Sequence, residues 1–244
     1  MTVTLKFRIQ QPITFVIAAD SLRLLKRPMF VEKWMTPNPV TVAPEQTISG
    51  VALEMNRRKL RHFPVCESTR NGRRMVGVAA KFDIARGFPS DLNPFSVEVT
   101  EESVPKPVSS VMTKKVITVL PDCPIEEAAR LLRGNRIGCL PVLQDGQLVG
   151  IITQSDLFEA FISMTAAKSG GTRIFIESDF DDSPIPAVLD FCRANRVEIL
   201  SMMSFHENRL RRRDMSIFRF HGRLPKGFIP AMAAAGYRVV SVGE

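Results

Sequence analysis

Thr153 and Asp156 stand three residues apart where the apolar run Gly150-Ile151-Ile152 gives way to a helix expected over Leu157–Met164. A carboxylate has two oxygens and can accept from both vicinal hydroxyls of a sugar such as ribose. The free N–H groups of the new helix face the side on which a phosphate is favoured, and the threonine hydroxyl joins them. The same spacing also spells a helix cap, in which both side chains only satisfy backbone N–H groups. Taken alone the pair favours the cap, because cap signatures are far commoner than nucleotide sites; its surroundings reverse the choice.

Those surroundings occur twice. Met35-Thr36 recurs as Met112-Thr113, an offset of 77, and Thr41-Val42, Pro44, Ile48, Ala52 and Pro64-Val65 recur at that offset as Thr118-Val119, Pro121, Ile125, Ala129 and Pro141-Val142. Gly77 and Asp83 then match Gly150 and Asp156 at 73, the difference absorbed by a longer turn, Glu67 to Arg74. A register kept over so many positions and broken once in a turn is an internal duplication. Each copy reads as a Met-Thr segment, a short strand (Pro39–Val42; Val116–Leu120) and an amphipathic helix (Thr47–Arg58; Pro124–Arg133). A hairpin follows (Phe63–Val65 with Val76–Ala79; Leu140–Leu143 with Leu148–Thr153), turned by Asn71-Gly72 or Asp145-Gly146, and a last helix closes the unit.

The Met-Thr start, the apolar-Pro-Val strand and the Gly-apolar-apolar-Thr-x-x-Asp ending together resemble a tandem pair of CBS domains, the Bateman module, over roughly residues 31–162. The resemblance implies a regulatory module that binds an adenine nucleotide (AMP, ADP or ATP, with S-adenosylmethionine left open) between the repeats. It implies that Asp156 holds the ribose hydroxyls, that Thr153 binds near ribose and phosphate, and that Thr118 with the backbone of Gly138, Cys139 and Leu140 meets the base. The first copy keeps Asp83 but has Ala80 in place of the hydroxyl, so its site is expected to be weakened or empty. Arg61 and His62 precede the first proline where the second copy has Gly138 and Cys139. They resemble phosphate clamps, and equally a solvated helix end whose cations complement the dipole. His62 could also make binding respond to pH.

Composition narrows the remaining classes. Fifteen basic residues face six acidic ones over residues 1–90, against eighteen and nineteen over 91–244, within a net charge of +8. That local excess suits an anion site; a nucleic-acid surface more often shows a continuous basic stripe interleaved with aromatics, and this chain has one Trp and one Tyr. Arg209, Arg211, Arg212 and Arg213 could grip nucleic acid or be a solvated turn. Cys66, Cys123, Cys139 and Cys192 have no paired spacing and read as reduced thiols of a cytoplasmic protein. His62, His206 and His221 lack metal spacing, and neither a Gly-x-Ser-x-Gly elbow nor a Gly-Lys-Ser/Thr loop occurs, so no catalytic residue, metal or cofactor is assigned and the protein reads as a non-enzyme. No run is long enough to span a bilayer.

The expected division, in an α/β (α+β) class, is an extension at 1–28 that need not belong to the natural product, copies at 29–90 and 108–164, linkers at 91–107 and 165–171, and a final domain at 172–244. Prolines and glutamates make Asp91–Val108 read as extended and exposed. In the final domain, strands at Arg173–Ser178, Val197–Phe205, Met215–Phe220 and Tyr237–Val242 and helices at Pro184–Arg193 and Pro225–Ala235 give the order βαββαβ of the ferredoxin-like plait. After a Bateman module this is similar to an ACT-type domain, and the whole from Met29 resembles acetoin-utilisation-type CBS regulators. The expected Asp-x-Pro-Gly ligand turn reads Asp182-Ser183-Pro184-Ile185, which puts amino-acid binding in doubt. Asp179, Asp181 and Asp182 suit either a hard cation or a helix dipole. A homodimer is expected, with an unidentified protein target. The rival readings are a dimerising scaffold without ligand and a nucleic-acid regulator.

Overall fold

The computed structural model describes residues 29–69, 72–96, 99–179, 182–208 and 213–243. The proposed extension 1–28, Asn71, Asp181, Arg209, Arg211 and Arg212 lie outside the described residues. The chain divides into two units, one ending at Leu157 and one beginning at Phe158.

In the first unit a helical turn, α1 (Val31–Trp34), and a short strand, β1 (Thr36–Pro37), precede helix α2 (Ile48–Arg58), hairpin β2 (His62–Thr69) and β3 (Gly72–Ala80), and helix α3 (Lys81–Gly87). The second copy supplies α4 (Ile125–Gly134), β4 (Cys139–Gln144), β5 (Gln147–Thr153) and α5 (Gln154–Met164), which runs into the second unit. Thr47 caps α2 by accepting the N–H of Gly50 at 3.1 Å. Asp145 and Gly146 both take positive φ, 50° and 76°, as a two-residue turn of the I′ class demands. The expected strands Pro39–Val42 and Val116–Leu120 shrink to single parallel bridges, Val42 with Val65 and Val119 with Val142. Pro44 and Pro121, two residues on, have no N–H to continue a ladder.

The duplication reaches the hydrogen bonds, and it is reciprocal. The N–H of Val31 donates to the carbonyl of Cys123, and its counterpart Val108 donates to Gln46; Glu32 to Pro121 is matched by Ser109 to Pro44. Each copy's leading segment is thus bound to the other copy. Thr36 and Pro37 pair with Ile151 and Gly150 on β5, and Thr113 pairs with Val78 on β3. The cores follow suit: Val31 is buried with Leu132, Leu140 and Ile152 of the second copy, and Val108 with Phe63, Ile48 and Ile84 of the first. A small apolar contact of Val78, Cys139 and Ile151 joins the copies.

The stretch 91–107 is largely exposed, as its prolines and glutamates lead one to expect, but two of its valines tie it to the first copy. Val99 and Val104 are buried in the first copy's core, and the fully buried Ser49 hydroxyl lies 2.6 Å from the Glu101 carbonyl and accepts the Val104 N–H at 3.3 Å. The two valines bury while residues 100–103 between them stay exposed, and the backbone of the stretch supplies the partners that an interior hydroxyl needs.

The second unit holds β6 (Thr172–Asp179), α6 (Ile185–Asn195), β7 (Ile199–Asn208), β8 (Arg213–Phe220), α7 (Phe228–Ala234) and β9 (Arg238–Gly243). They form one antiparallel sheet in the order β7-β8-β6-β9. Alternate residues of β6 and β8, among them Ile174, Ile176, Phe218 and Phe220, bury against Val188 and Cys192 of α6 and Phe228 and Met232 of α7. Tyr237 donates its hydroxyl to Asp182 Oδ1 at 2.8 Å, so this acid of the Asp179, Asp181 and Asp182 group is already engaged. The Tyr237 hydroxyl also lies 3.0 Å from the Ser183 carbonyl.

Candidate functional site

Each hairpin leads into a helix whose third residue is an aspartate, and both aspartates cap. Asp83 Oδ2 accepts the N–H of Ala80 at 3.1 Å. Asp156 Oδ2 accepts the N–H of Thr153 at 2.7 Å and the Thr153 hydroxyl at 2.8 Å. The threonine hydroxyl therefore serves the carboxylate, a bond the first copy cannot make from Ala80. Among the described residues no hydrogen bond is made by either Oδ1; that of Asp83 lies 3.6 Å from Arg86 Nη2 at the helix surface.

Asp83 lines a cavity of about 570 Å³, within the range of small-molecule sites. Around it stand His62 of β2, Lys115 from the second copy's leading segment and Arg136 from the turn between α4 and β4. Val78, Val116, Ile117 and Ile137 give apolar walls. One carboxylate thus faces two permanent cations and an imidazole, a balance that favours an anionic ligand carrying hydroxyls. Arg136 holds a left-handed φ of 54°, as Lys59 does at 55° at the equivalent helix end. A non-glycine residue there costs roughly 1–2 kcal/mol. Arg136→Gly is therefore expected to change stability by less than about 1 kcal/mol, because relieved strain offsets lost chain stiffness. It should weaken binding of an anionic ligand about fivefold, as one partly screened charge allows; calorimetric titration and thermal unfolding of the same preparation measure both.

The Nε2–Cε1 edge of His62 closes on Gly138. A Cβ at position 138 would overlap the His62 Nε2 and lie 2.7 Å from Cε1, so glycine is required here for close approach. Burial is the main cause that holds the imidazole below its ordinary pKa; the Arg61 cation adds to it and Asp83 partly opposes it. Burial also pushes the Cys139 thiol up to about 12, so it stays protonated.

The CBS domain family model matches residues 31–90 and again 108–163. The chain carries two CBS domains in tandem. This CBS pair is 28% identical over 141 residues to a CBS domain-containing protein of Dictyostelium discoideum, covering 56% of this chain and 93% of that protein. It is 26% identical over 159 residues to inosine-5'-monophosphate dehydrogenase of Staphylococcus aureus, covering 65% of this chain and 29% of the enzyme. Among solved structures it is similar to a protein described as the acetoin utilization protein AcuB of Vibrio cholerae (26% identity, TM-score 0.47, 58% of this chain and 96% of that one). It is also similar to CBSX2 in complex with AMP (28% identity, TM-score 0.45, 55% and 96%).

Of the residues singled out from the sequence, the cavity of the CBS pair brings together Asp83, His62, Gly138 and Cys139. Leu140 is wholly buried in the second domain's core. Thr118 follows the cavity-lining Ile117 and is half-buried. Thr153 and Asp156 do not line this cavity. Arg61 goes with them, donating through Nη2 to Ser155 Oγ at 2.9 Å across the pair, so adjacent residues Arg61 and His62 serve different sides. Sequence reasoning passed over Lys115 and Arg136. The signal for Arg136 was its match to Lys59 at the repeat offset, which reads as an ordinary helix-end cation.

Among the described residues, no group of three or more His, Cys, Asp or Glu could hold a metal. Among them, too, no helix is long and apolar enough to cross a membrane.

Proposed function

We propose that the protein is a non-enzymatic regulator that binds an adenine nucleotide in the cavity of its CBS pair and signals occupancy to its C-terminal unit or to a partner protein. The observation that carries this reading is the cavity's division of labour. The Asp83 carboxylate is offered to ribose hydroxyls, Lys115 and Arg136 to phosphate, and the walls of Val78, Val116, Ile117 and Ile137 to a base. We place the site on Asp83, where the sequence favoured Asp156. The C-terminal unit is read as a ferredoxin-like, ACT-type domain, supported by its element order and by the sheet order β7-β8-β6-β9. Its Asp182-Ser183 turn lacks the glycine and is bound by Tyr237, which favours a receiving over an amino-acid-binding role. Self-association as a homodimer is supported by exposed aromatics on the closing helices, Phe82 on α3 and Phe158 and Phe161 on α5.

The test is thermal unfolding of the full chain with AMP, ADP, ATP and S-adenosylmethionine, alongside native mass spectrometry for co-purified nucleotide and copy number. A true ligand at one hundred times its Kd adds about 2.7 kcal/mol to stability. No shift with any adenosine compound would leave a dimerising scaffold, whose aspartates only cap helices. Salt-sensitive binding to DNA or RNA in place of nucleotide would favour the third reading.

A further inference from the structure

Resting on the proposed nucleotide site, we infer that His62 makes the cavity selective for a phosphorylated ligand by taking up a proton when that ligand binds. The imidazole lines the cavity and lies against Gly138 with no side chain between them. The titratable or charged groups that line the cavity with it are Asp83 on α3, Lys115 on the second domain's leading segment, Arg136 in the turn before β4 and Cys139 on β4; Arg61 is its neighbour on the chain. Without ligand, burial first and then the neighbouring Arg61 cation oppose a positive charge on the ring, and Asp83 favours it. At neutral pH the ring is therefore neutral and offers one donor. A phosphate brought beside Lys115 and Arg136 reverses the local sign, so the ring gains a reason to bind a second proton. A neutral adenosine brings no such charge and draws no proton.

Binding that draws in a proton strengthens as pH falls. AMP should therefore bind the full chain about three- to tenfold more tightly at pH 6 than at pH 8, the tenfold limit corresponding to a rise of one unit in the imidazole pKa. Adenosine should show no comparable change. The phosphate's own second ionisation, with pKa about 6, pulls the other way. It acts equally on wild type and on His62→Gln, so the difference between the two proteins is the quantity to read. Calorimetry of AMP binding in buffers of different ionisation enthalpy counts the protons directly on the unmodified protein: a net uptake that vanishes in His62→Gln is expected. AMP binding without proton uptake, or with the same pH dependence in His62→Gln, overturns the role of His62 and leaves the nucleotide site standing. Failure of both AMP and adenosine to bind overturns the nucleotide site itself.

Discussion

Asp83→Ala is expected to weaken AMP binding about 100-fold, whereas Asp156→Ala leaves binding in this cavity within about twofold. The first carboxylate lines the cavity, and its Oδ1 meets only the surface cation of Arg86 at 3.6 Å, so its loss removes charge-assisted bonds to two ribose hydroxyls, about 3 kcal/mol together. Both substitutions remove a helix cap, since each aspartate accepts the N–H of the residue three before it; each should cost about 1 kcal/mol of stability. That shared cost is the internal control, because it makes the two variants alike in fold and different in binding. Asp83→Asn separates the parts further, keeping an acceptor for the cap and losing the charge. Equal loss of affinity in both alanine variants would mean that the ligand sits elsewhere.

Gly77→Ala is expected to destabilise the CBS pair by about 2 kcal/mol, a fall in melting temperature of about 4–8 °C. A Cβ at 77 would stand 2.6 Å from Met112 Sδ and 2.9 Å from the Thr113 carbonyl oxygen. The sulfur can swing aside, but the carbonyl cannot, because Val78 and Thr113 exchange backbone hydrogen bonds there at 2.9 and 3.0 Å. At the equivalent Gly150 the nearest atoms all belong to the Met35 side chain, which has three rotatable bonds and a soft sulfur. Gly150→Ala should therefore cost less than about 1 kcal/mol. Two glycines in the same motif are thus predicted to differ, and thermal unfolding of the pair of variants decides it.

The contrast between these glycines shows what the sequence could and could not tell. The repeat offset reveals that Gly77 and Gly150, or Asp83 and Asp156, are equivalent. It does not reveal which copy supplies each one's neighbours. The resemblance to CBS pairs groups Asp156 with Thr118 and Gly138–Leu140, whereas the cavity joins Asp83 of the first copy to Gly138 and Cys139 of the second. The missing hydroxyl at Ala80 argued against the first site, but in the second copy that hydroxyl is bound to its own aspartate. Hairpins, helices and the βαββαβ order were readable because periodicity, turn residues and caps are local. The burial of Val99 and Val104 was not, because two valines among prolines and glutamates carry no period; the groups that fix them, such as the interior hydroxyl of Ser49, are distant in sequence.

The crossing of the leading segments has a consequence for how the molecule tolerates cutting. A nick in the stretch joining the copies would yield two fragments, each lacking the β-edge that the other carries. Such fragments should reassociate as a non-covalent whole, while either one made alone would present a bare edge to any chain able to fill it. The duplicated fold is therefore better regarded as a dimer that acquired a covalent tether than as two beads on a string.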